Sequence, residues 1–533
     1  MVLWFCVVLC GVVVFLFYVA GFCGLEVLAS LCGYGGGGGM NFSLMVDSSS
    51  LLCLMMLFIC SIIVLPFLFH YMGGYNLGAG LYFLVNLFIF VMVVLMLSSS
   101  FLTSLLGWEY LGLVSYLLIL FLGSLACARA SLITLVSSRF GDVALFFILC
   151  FSASYSSFDS GVLLGLCFLL VVLTKSACFP FTSWLLEAMR APTPVSCLVH
   201  SSTLVAAGVW FCLRYDNAMF DELKAAMLLV SVVTIYVTAL SALHFVDLKK
   251  LVALSTCNNI SWCLMCYCLD DAVLCIMFLV THGVSKCLLF MSVGDLMSSS
   301  GGSQSSGGVY LCRYTGVYGS LIHVILLSSL CGLPFMGVFI TKHVVMERSG
   351  VTGSVFVYLL VCGGVVLSFG YTYRFVFLLL NRVGGLCVGV LCSFYLYGFM
   401  GVVPLVVNYV GSYSFCWVEG CLTLFWGVVS IYFYIHLAGV LMGLYFYLSC
   451  GGESGFWGFV LGGCECFVGL CYEMYVYLCS LVYFVFYRWE VGVMGYLLRL
   501  FFCYGGGIYG LLMAGFMVLG VLWLVGFCYF FVV

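Results

Sequence analysis

Charge is scarce in this sequence: Asp, Glu, Lys and Arg make up 7% of its 533 residues, and the net charge is −3. A soluble globular domain is about a quarter charged, so that class is excluded. Nucleic-acid binding is excluded with it, because no basic block is present to meet a phosphate backbone. Proline is nearly as scarce, with 6 in all, and inside a helix it removes a backbone bond and clashes with the preceding turn. No repeated Cys-x-x-Cys pair with zinc or iron–sulfur spacing occurs. The 32 cysteines instead lie scattered through apolar runs such as Leu166–Leu170, where a thiol acts as a small hydrophobe rather than part of a disulfide framework.

What remains is apolar. Hydrophobic residues make up 66% of the chain, and its mean hydropathy is +1.31. Only lipid tolerates that much exposed apolar surface. One bilayer crossing takes about 20 residues, which leaves room for about fifteen spans. Each must be a helix, because a backbone in lipid has to bond within its own segment. Candidate spans lie near 2–24, 49–70, 81–98, 101–123, 131–151, 161–186, 195–213, 223–243, 251–268 and 271–293. Others lie near 316–347, 351–380, 385–410, 420–448 and 506–533. The run 2–24 has neither a basic flank nor a cleavage site, so it reads as a span and not a removable signal. The glycine run 35–39 and the segment Ser298–Gly308 read as flexible connectors.

Two spans do not read as simple helices. The run 161–186 holds Lys175 and Pro180, and the run 316–347 holds Gly332, Pro334, Gly337 and Lys342. Interrupted helices at matching places in two halves are the sequence mark of a transporter built from inverted repeats. The expected fold is an all-α polytopic membrane protein with five helices over 81–213 and five over 223–380, an interrupted helix standing fourth in each. Segment 1–80 would supply N-terminal spans and 385–450 additional ones. The stretch 455–503, with sparse charges among aromatics, reads either as two more spans or as a helix lying along the membrane; 506–533 would be a final anchor.

An ionisable side chain at mid-bilayer costs at least about 2.5–3.5 kcal/mol, and persists where it faces a protein interior or a wet cavity. Glu109 lies inside the span 101–123, Lys175 beside the Pro180 break, and His200 one helix later. His282 and Lys286 stand four apart on one helical face, and Lys342 lies beyond the Pro334 break. Each alone could be a buried pair, a snorkelling lysine or an interface anchor. Together, alternating in type and recurring in both halves, they point to a proton relay. Out of water a lysine gives up its proton more readily, and a nearby carboxylate holds it back. Glu109 would tune Lys175 in this way, and His200 would pass the proton laterally. Arg139 and Asp142, three apart, read as a mutually neutralising pair, with direct transfer by Asp142 as the alternative. Asp247, Lys249 and Lys250 read as interface anchors, and Glu187, Arg190, Arg214 and Asp221 as loop charges. His70, His244, His323 and His436 have no evident partner in sequence and read as structural.

Seven motifs occur in order: Gly-Trp-Glu-Tyr-Leu-Gly (107–112), Ser-Arg-Phe-Gly-Asp (138–142), Thr-Lys-Ser-Ala-Cys-Phe-Pro (174–180), Ala-Pro-Thr-Pro-Val-Ser-Cys-Leu-Val-His-Ser-Ser-Thr-Leu-Val-Ala-Ala-Gly (191–208), Asp-Leu-Lys-Lys-Leu-Val-Ala-Leu-Ser-Thr (247–256), Thr-His-Gly-Val-Ser-Lys-Cys-Leu-Leu-Phe (281–290) and Gly-Leu-Pro-Phe-Met-Gly-Val-Phe-Ile-Thr-Lys (332–342). This series resembles the chain 5 branch of the antiporter-like subunit family of NADH–ubiquinone oxidoreductase, respiratory complex I. The likeness covers about 101–347, and the stretch 191–208 carries it most specifically.

The resemblance implies two inverted five-helix bundles, a polar axis at mid-membrane and a distal place in the membrane arm. By matching motif, Glu109 and Lys175 fall on the family's charge pair, His200, His282 and Lys286 on its connecting relay, and Lys342 on its terminal lysine. It implies that no cofactor is bound here: NADH, FMN, iron–sulfur clusters and ubiquinone would belong to partner subunits. The partners implied are other membrane-arm subunits, neighbouring antiporter-like ones contacted by a lateral helix at 455–503, together with membrane lipid. Abundant residues read from T- and G-rich codons (Phe, Leu, Val, Gly, Cys, Trp) and a single glutamine, Gln304, suggest a strand-biased organellar genome and so the mitochondrial inner membrane. Several positions depart from the family pattern. The count of spans is one short of the usual sixteen. Phe278 stands where a second histidine is frequent, His343 where an aspartate is common, and Asn259 for a usual glutamine. A subunit of a free-standing cation/proton antiporter and a non-conducting scaffold are the competing readings.

Overall fold

The computed structural model describes residues 27–31, 42–72, 75–153, 161–216, 221–306, 308, 316–334, 336–351, 355–380, 426–449, 474, 476–485 and 487–496. The expected spans at 2–24, 385–410 and 506–533, and the glycine run 35–39, lie outside these residues. Two short strands, β1 (Val27–Leu31) and β2 (Phe42–Val46), pair antiparallel with Val27 opposite Val46. Everything else of regular form among the described residues is helical.

The first helix, α1 (Ser48–Met72), precedes a set formed by α2 (Tyr75–Leu97), α3 (Phe101–Leu120), α4 (Leu125–Ala153), the pair α5 (Gly161–Ser176) and α6 (Ser183–Ala188), and α7 (Thr193–Arg214). A second set follows in the same order: α8 (Asp221–Ala242), α9 (Leu248–Cys268), α10 (Ala272–Ser299), the pair α11 (Gly316–Cys331) and α12 (Phe339–Val351), and α13 (Val355–Leu380). A further helix, α14 (Trp426–Leu448), lies along α13. Ten helices among the described residues are long and apolar enough to cross a membrane.

Local chemistry sets these boundaries. Ser100 caps α3 by accepting from the Thr103 amide at 3.3 Å, satisfying a first-turn donor that has no partner in the helix. Pro180 has no N–H to offer, and α5 stops four residues before it. Between α11 and α12 the chain takes positive φ at Gly332 (+85°) and Gly337 (+48°), which L side chains rarely adopt. A Cβ at Gly337 would overlap the Ser329 carbonyl. Both interruptions expected from sequence are therefore present, and each stands fourth in its set.

Enclosure sorts the helices by polarity. The whole apolar window of α7 is buried, whereas 22% of that of α14 is. The enclosed helices α7, α9 and α10 carry Ser, Thr, Asn, His and Lys; the outward faces of α2, α4, α13 and α14 carry exposed Leu, Phe, Val and Tyr. This is the distribution lipid demands, with polar groups turned to the protein interior.

Several sequence expectations are corrected. Ser298–Gly308 is not a free connector. Its start is the last turn of α10, and beyond it the Leu248 amide donates to the Gln304 carbonyl and the Ser306 amide to the Val246 carbonyl, each at 3.1 Å. Lys249 is not an interface anchor: it is buried, and its Nζ donates to the Ala191 carbonyl at 3.3 Å. Arg214 is no loose loop charge. It pairs with Asp47 and donates to the Ser98 and Met45 carbonyls at 2.8 and 3.0 Å, tying β2 to the end of α2. His323 and His436, read as structural, make such contacts: with the Gly319 carbonyl at 2.7 Å and the Tyr373 hydroxyl at 2.6 Å.

The second compact unit, Glu465–Val533, contributes α15 (Val476–Val485) and a π-helical turn at Arg488–Val493. Most of its described side chains are exposed.

Candidate functional site

Lys175 occupies the last turn of α5, the end of a helix where a cation is favoured by the aligned peptide dipoles. It is buried. Its Nζ lies 3.5 Å from the Trp108 carbonyl and 5.4 Å from the centre of the Trp108 ring. Two glycines let the surrounding helices close in. A Cβ on Gly112 would stand 3.9 Å from Lys175 Nζ, and one on Gly141 would overlap Thr174 Oγ1. The neighbouring α3 and α4 then bring two carboxylates to the same place. Arg139 bridges them, paired with Glu109 and 3.3 Å from buried Asp142. Glu109 thus bonds to Arg139, where the sequence suggested Lys175. Two acids and two bases share this cluster.

A small cavity between Lys175 and His200 is lined by Ser115, Thr134, Ser137, Ser138 and Thr174 together with Trp184 and Leu204. His200 sits in a π-helical segment of α7, Ser196–Thr203, where the wider winding misaligns backbone bonds. Side chains meet some of the carbonyls there: Thr203 donates to the Leu198 carbonyl at 2.8 Å and Ser202 to the same oxygen at 3.0 Å. Neither ring nitrogen of His200 has a protein partner, although the residue is fully enclosed. Buried polar atoms almost always find one, so this is a place suited to ordered water.

The two sets meet at this π-helical segment. Here α10 packs against it, with Cys197 Sγ 3.3 Å from Cys287 Sγ, and α1 closes the junction. His282 and Lys286 lie on this helix, both buried. His282 Nε2 has no partner, while Lys286 donates to the Ser255 hydroxyl and, at 3.3 Å, to the Val252 carbonyl. Phe278, one turn before His282, is buried, and both amide atoms of Asn259 on α9 are unpartnered.

Lys342 lies in the first turn of α12, also buried. It donates to the Cys331 carbonyl and the Ser368 hydroxyl, each at 3.0 Å, and faces the Trp262 ring at 5.6 Å. The break between α11 and α12 frees carbonyls, and two side chains take them up: Lys342 that of Cys331, and Tyr432 of α14 that of Gly332 at 2.6 Å. His343 is buried beside it with both ring nitrogens unpartnered.

Of the seven residues singled out from sequence, Asp142, Lys175, His200, His282, Lys286 and Lys342 are buried, and Glu109 is partly exposed. Lys175, Glu109 and Asp142 form one cluster; the cavity adds His200, and the α7–α10 junction adds His282 and Lys286. Sequence reasoning missed Arg139 as the bridge to Glu109, and it missed Trp108, Trp262 and Tyr432. Trp108 had a signal, its place next to Glu109; Trp262 and Tyr432 lie 80 and 90 residues from Lys342 in the chain and had none. Among the described residues no three His, Cys, Asp or Glu side chains converge as a metal site.

Residues 98–368 match the family described as NADH:quinone oxidoreductase/Mrp antiporter, TM. NADH-ubiquinone oxidoreductase chain 5 of Aedes aegypti is 35% identical over 320 residues, covering 56% of this chain and 54% of that one. The chain of the same name from Anopheles arabiensis is 34% identical over 316 residues, covering 56% of this chain and 82% of the other. The chain thus spans little more than half the length of its Aedes aegypti relative. A chain of the Mrp complex from Dietzia sp. superposes with a TM-score of 0.69 at 19% identity, covering 97% of this chain and 59% of that one, a likeness of fold. The motifs, the paired helix breaks and the match over half the sequence agree: the chain belongs to the NADH:quinone oxidoreductase/Mrp antiporter membrane family.

Proposed function

We propose that the chain is a proton-translocating membrane-arm subunit of NADH:ubiquinone oxidoreductase in the mitochondrial inner membrane. The observation that carries the reading is the enclosure of Asp142, Lys175, His200, His282, Lys286 and Lys342, all titratable, inside an apolar helical protein. Buried ionisable groups in a membrane protein are expensive and mark ion pathways. The sets over 81–213 and 223–380 act as inverted repeats: five crossings bring the chain out on the opposite side, so the second set begins upside down. Beside them stand α1 and α14. Segment 455–503 is the part of the chain that this reading assigns to contact with neighbouring membrane-arm subunits.

In this reading Lys175 is held charged by Asp142 and Glu109, whose own charge Arg139 shares. When the acids turn further toward Arg139, Lys175 loses support and releases a proton into the cavity. His200 receives it and passes it across the α7–α10 junction to His282 and Lys286. Arrival of charge at Lys286 repels the proton on Lys342, which leaves beyond the break. Electron transfer, with NADH, flavin, iron–sulfur clusters and ubiquinone, takes place in partner subunits.

A second reading, a subunit of a free-standing cation/proton antiporter, is favoured by the likeness of fold to the Mrp complex chain. Purification of the native protein separates the two. The expected outcome is co-purification with a large flavin- and iron–sulfur-containing assembly that oxidises NADH. Sodium-dependent proton exchange by a preparation lacking that assembly would support the antiporter instead.

A further inference from the structure

Lys342 is enclosed, and among the described residues no carboxylate touches it. An ammonium has three N–H donors. Two go to the Cys331 carbonyl and the Ser368 hydroxyl, and the charge that remains faces the Trp262 ring, 5.6 Å from its centre. A cation within about 6 Å of an aromatic centroid is attracted by the ring quadrupole, and indole is the strongest such ring.

The ring is fixed in that pose. Trp262 Nε1 donates to Asn258 Oδ1 at 3.0 Å, one turn earlier on α9, and Asn258 Nδ2 donates to the Ile235 carbonyl of α8 at 3.1 Å. On the far edge Gly364 of α13 leaves the space: a Cβ there would stand 3.2 Å from Trp262 Cζ2. Trp108, on the second helix of the first set as Trp262 is on the second helix of the second, faces Lys175 in the same way. At Lys175 two acids add to the ring; at Lys342 the other groups nearby supply no such charge. Lys286 stands on the neighbouring α10, Cys331 on α11 presents its carbonyl, Ser368 on α13 its hydroxyl, and Glu347 on α12 lies more than a turn further along the helix.

We infer that Trp262, locked by Asn258, is a positioning residue that holds Lys342 in its charged form where the first set uses carboxylates. The inference rests on the proton-translocating reading above, since its readout is pumping. Removing the ring withdraws stabilisation from the charged form only. The proton then leaves at lower pH, and the alkaline limb of the pumping profile moves down.

The test uses the intact NADH-oxidising assembly in vesicles, with protons moved per NADH measured across pH. Trp262→Leu is expected to move the alkaline limb toward lower pH by about one unit, a tenfold loss of proton affinity. Trp262→Phe keeps a ring but loses the tie to Asn258, and moves the limb by less; Asn258→Ala, which frees the indole, also moves it by less. An unshifted limb in Trp262→Leu, or the same shift in the Leu and Phe variants, overturns the inference. Where Trp262→Leu does not assemble, an unshifted limb in Asn258→Ala overturns it. Lys342→Met tests the underlying reading separately: wild-type pumping in that variant removes Lys342 from the relay, whatever the Trp262 variants do.

Discussion

Around Lys175 three other charges gather, Glu109, Asp142 and Arg139, while Lys342 is met by a carbonyl, a hydroxyl and an aromatic face. Both lysines adjoin a helix break, and both face a tryptophan from the second helix of their set. The difference lies in how the cost of an enclosed charge is offset. In the first set opposite charges balance it; in the second, dipoles and a ring quadrupole do. A balanced cluster is switched by moving a charge, as when Arg139 draws an acid away. A site without counter-charge is switched by what approaches it, here Lys286 on the neighbouring α10. In the proposed relay, one architecture houses a site loaded from within and a site unloaded by what approaches it.

The contrast can be broken at the helix break itself, with the largest expected effect. Gly337→Ala adds backbone strain of about 1–3 kcal/mol at positive φ and a clash with the Ser329 carbonyl costing about as much again. Assembled protein should fall severalfold on native gels. Gly112→Ala in the first set meets Ser138 Oγ at 3.4 Å, an ordinary contact, and should assemble at near wild-type yield.

A smaller effect sharpens the contrast. Asp142→Asn removes the buried carboxylate of the Lys175 cluster and leaves Arg139 to Glu109 alone. The Arg139–Asp142 ion pair, with Arg139 partly exposed, contributes up to about 1 kcal/mol. Pumping should fall at least tenfold. Ser368→Ala withdraws one of two hydrogen bonds from Lys342 and leaves the ring, and should cost a few-fold. Equal losses in the two variants, read as protons per NADH, would erase the distinction between the sites.

Much of this was legible in the sequence because lipid leaves few choices. Apolar runs gave α1, α3, α9 and α13 within a few residues, and Pro180 and the 332–337 segment gave both breaks. The buried Asp142, Lys175, His200, His282, Lys286 and Lys342 stood out because an ionisable residue inside an apolar run must be enclosed by protein or wetted to persist in lipid. What was not legible depends on which helices lie side by side. Arg139 and Asp142 are visible as an i, i+3 pair, but the bond from Arg139 to Glu109 needs α3 and α4 adjacent, 30 residues apart in sequence. Lys249 and Arg214 stand at helix ends, where a charge usually reaches water. Each is instead covered, Lys249 beside the turn at Ala191 and Arg214 beside β2. Tyr432 reached the second break from a helix outside both sets, which no periodicity could announce.

The most direct measurement is the number of protons moved per NADH oxidised by the reconstituted assembly carrying Lys175→Met or Lys342→Met. The expected result is a reduced ratio in both, with NADH oxidation and assembly retained. A wild-type ratio in both would contradict the relay and leave the enclosed lysines a purely structural role.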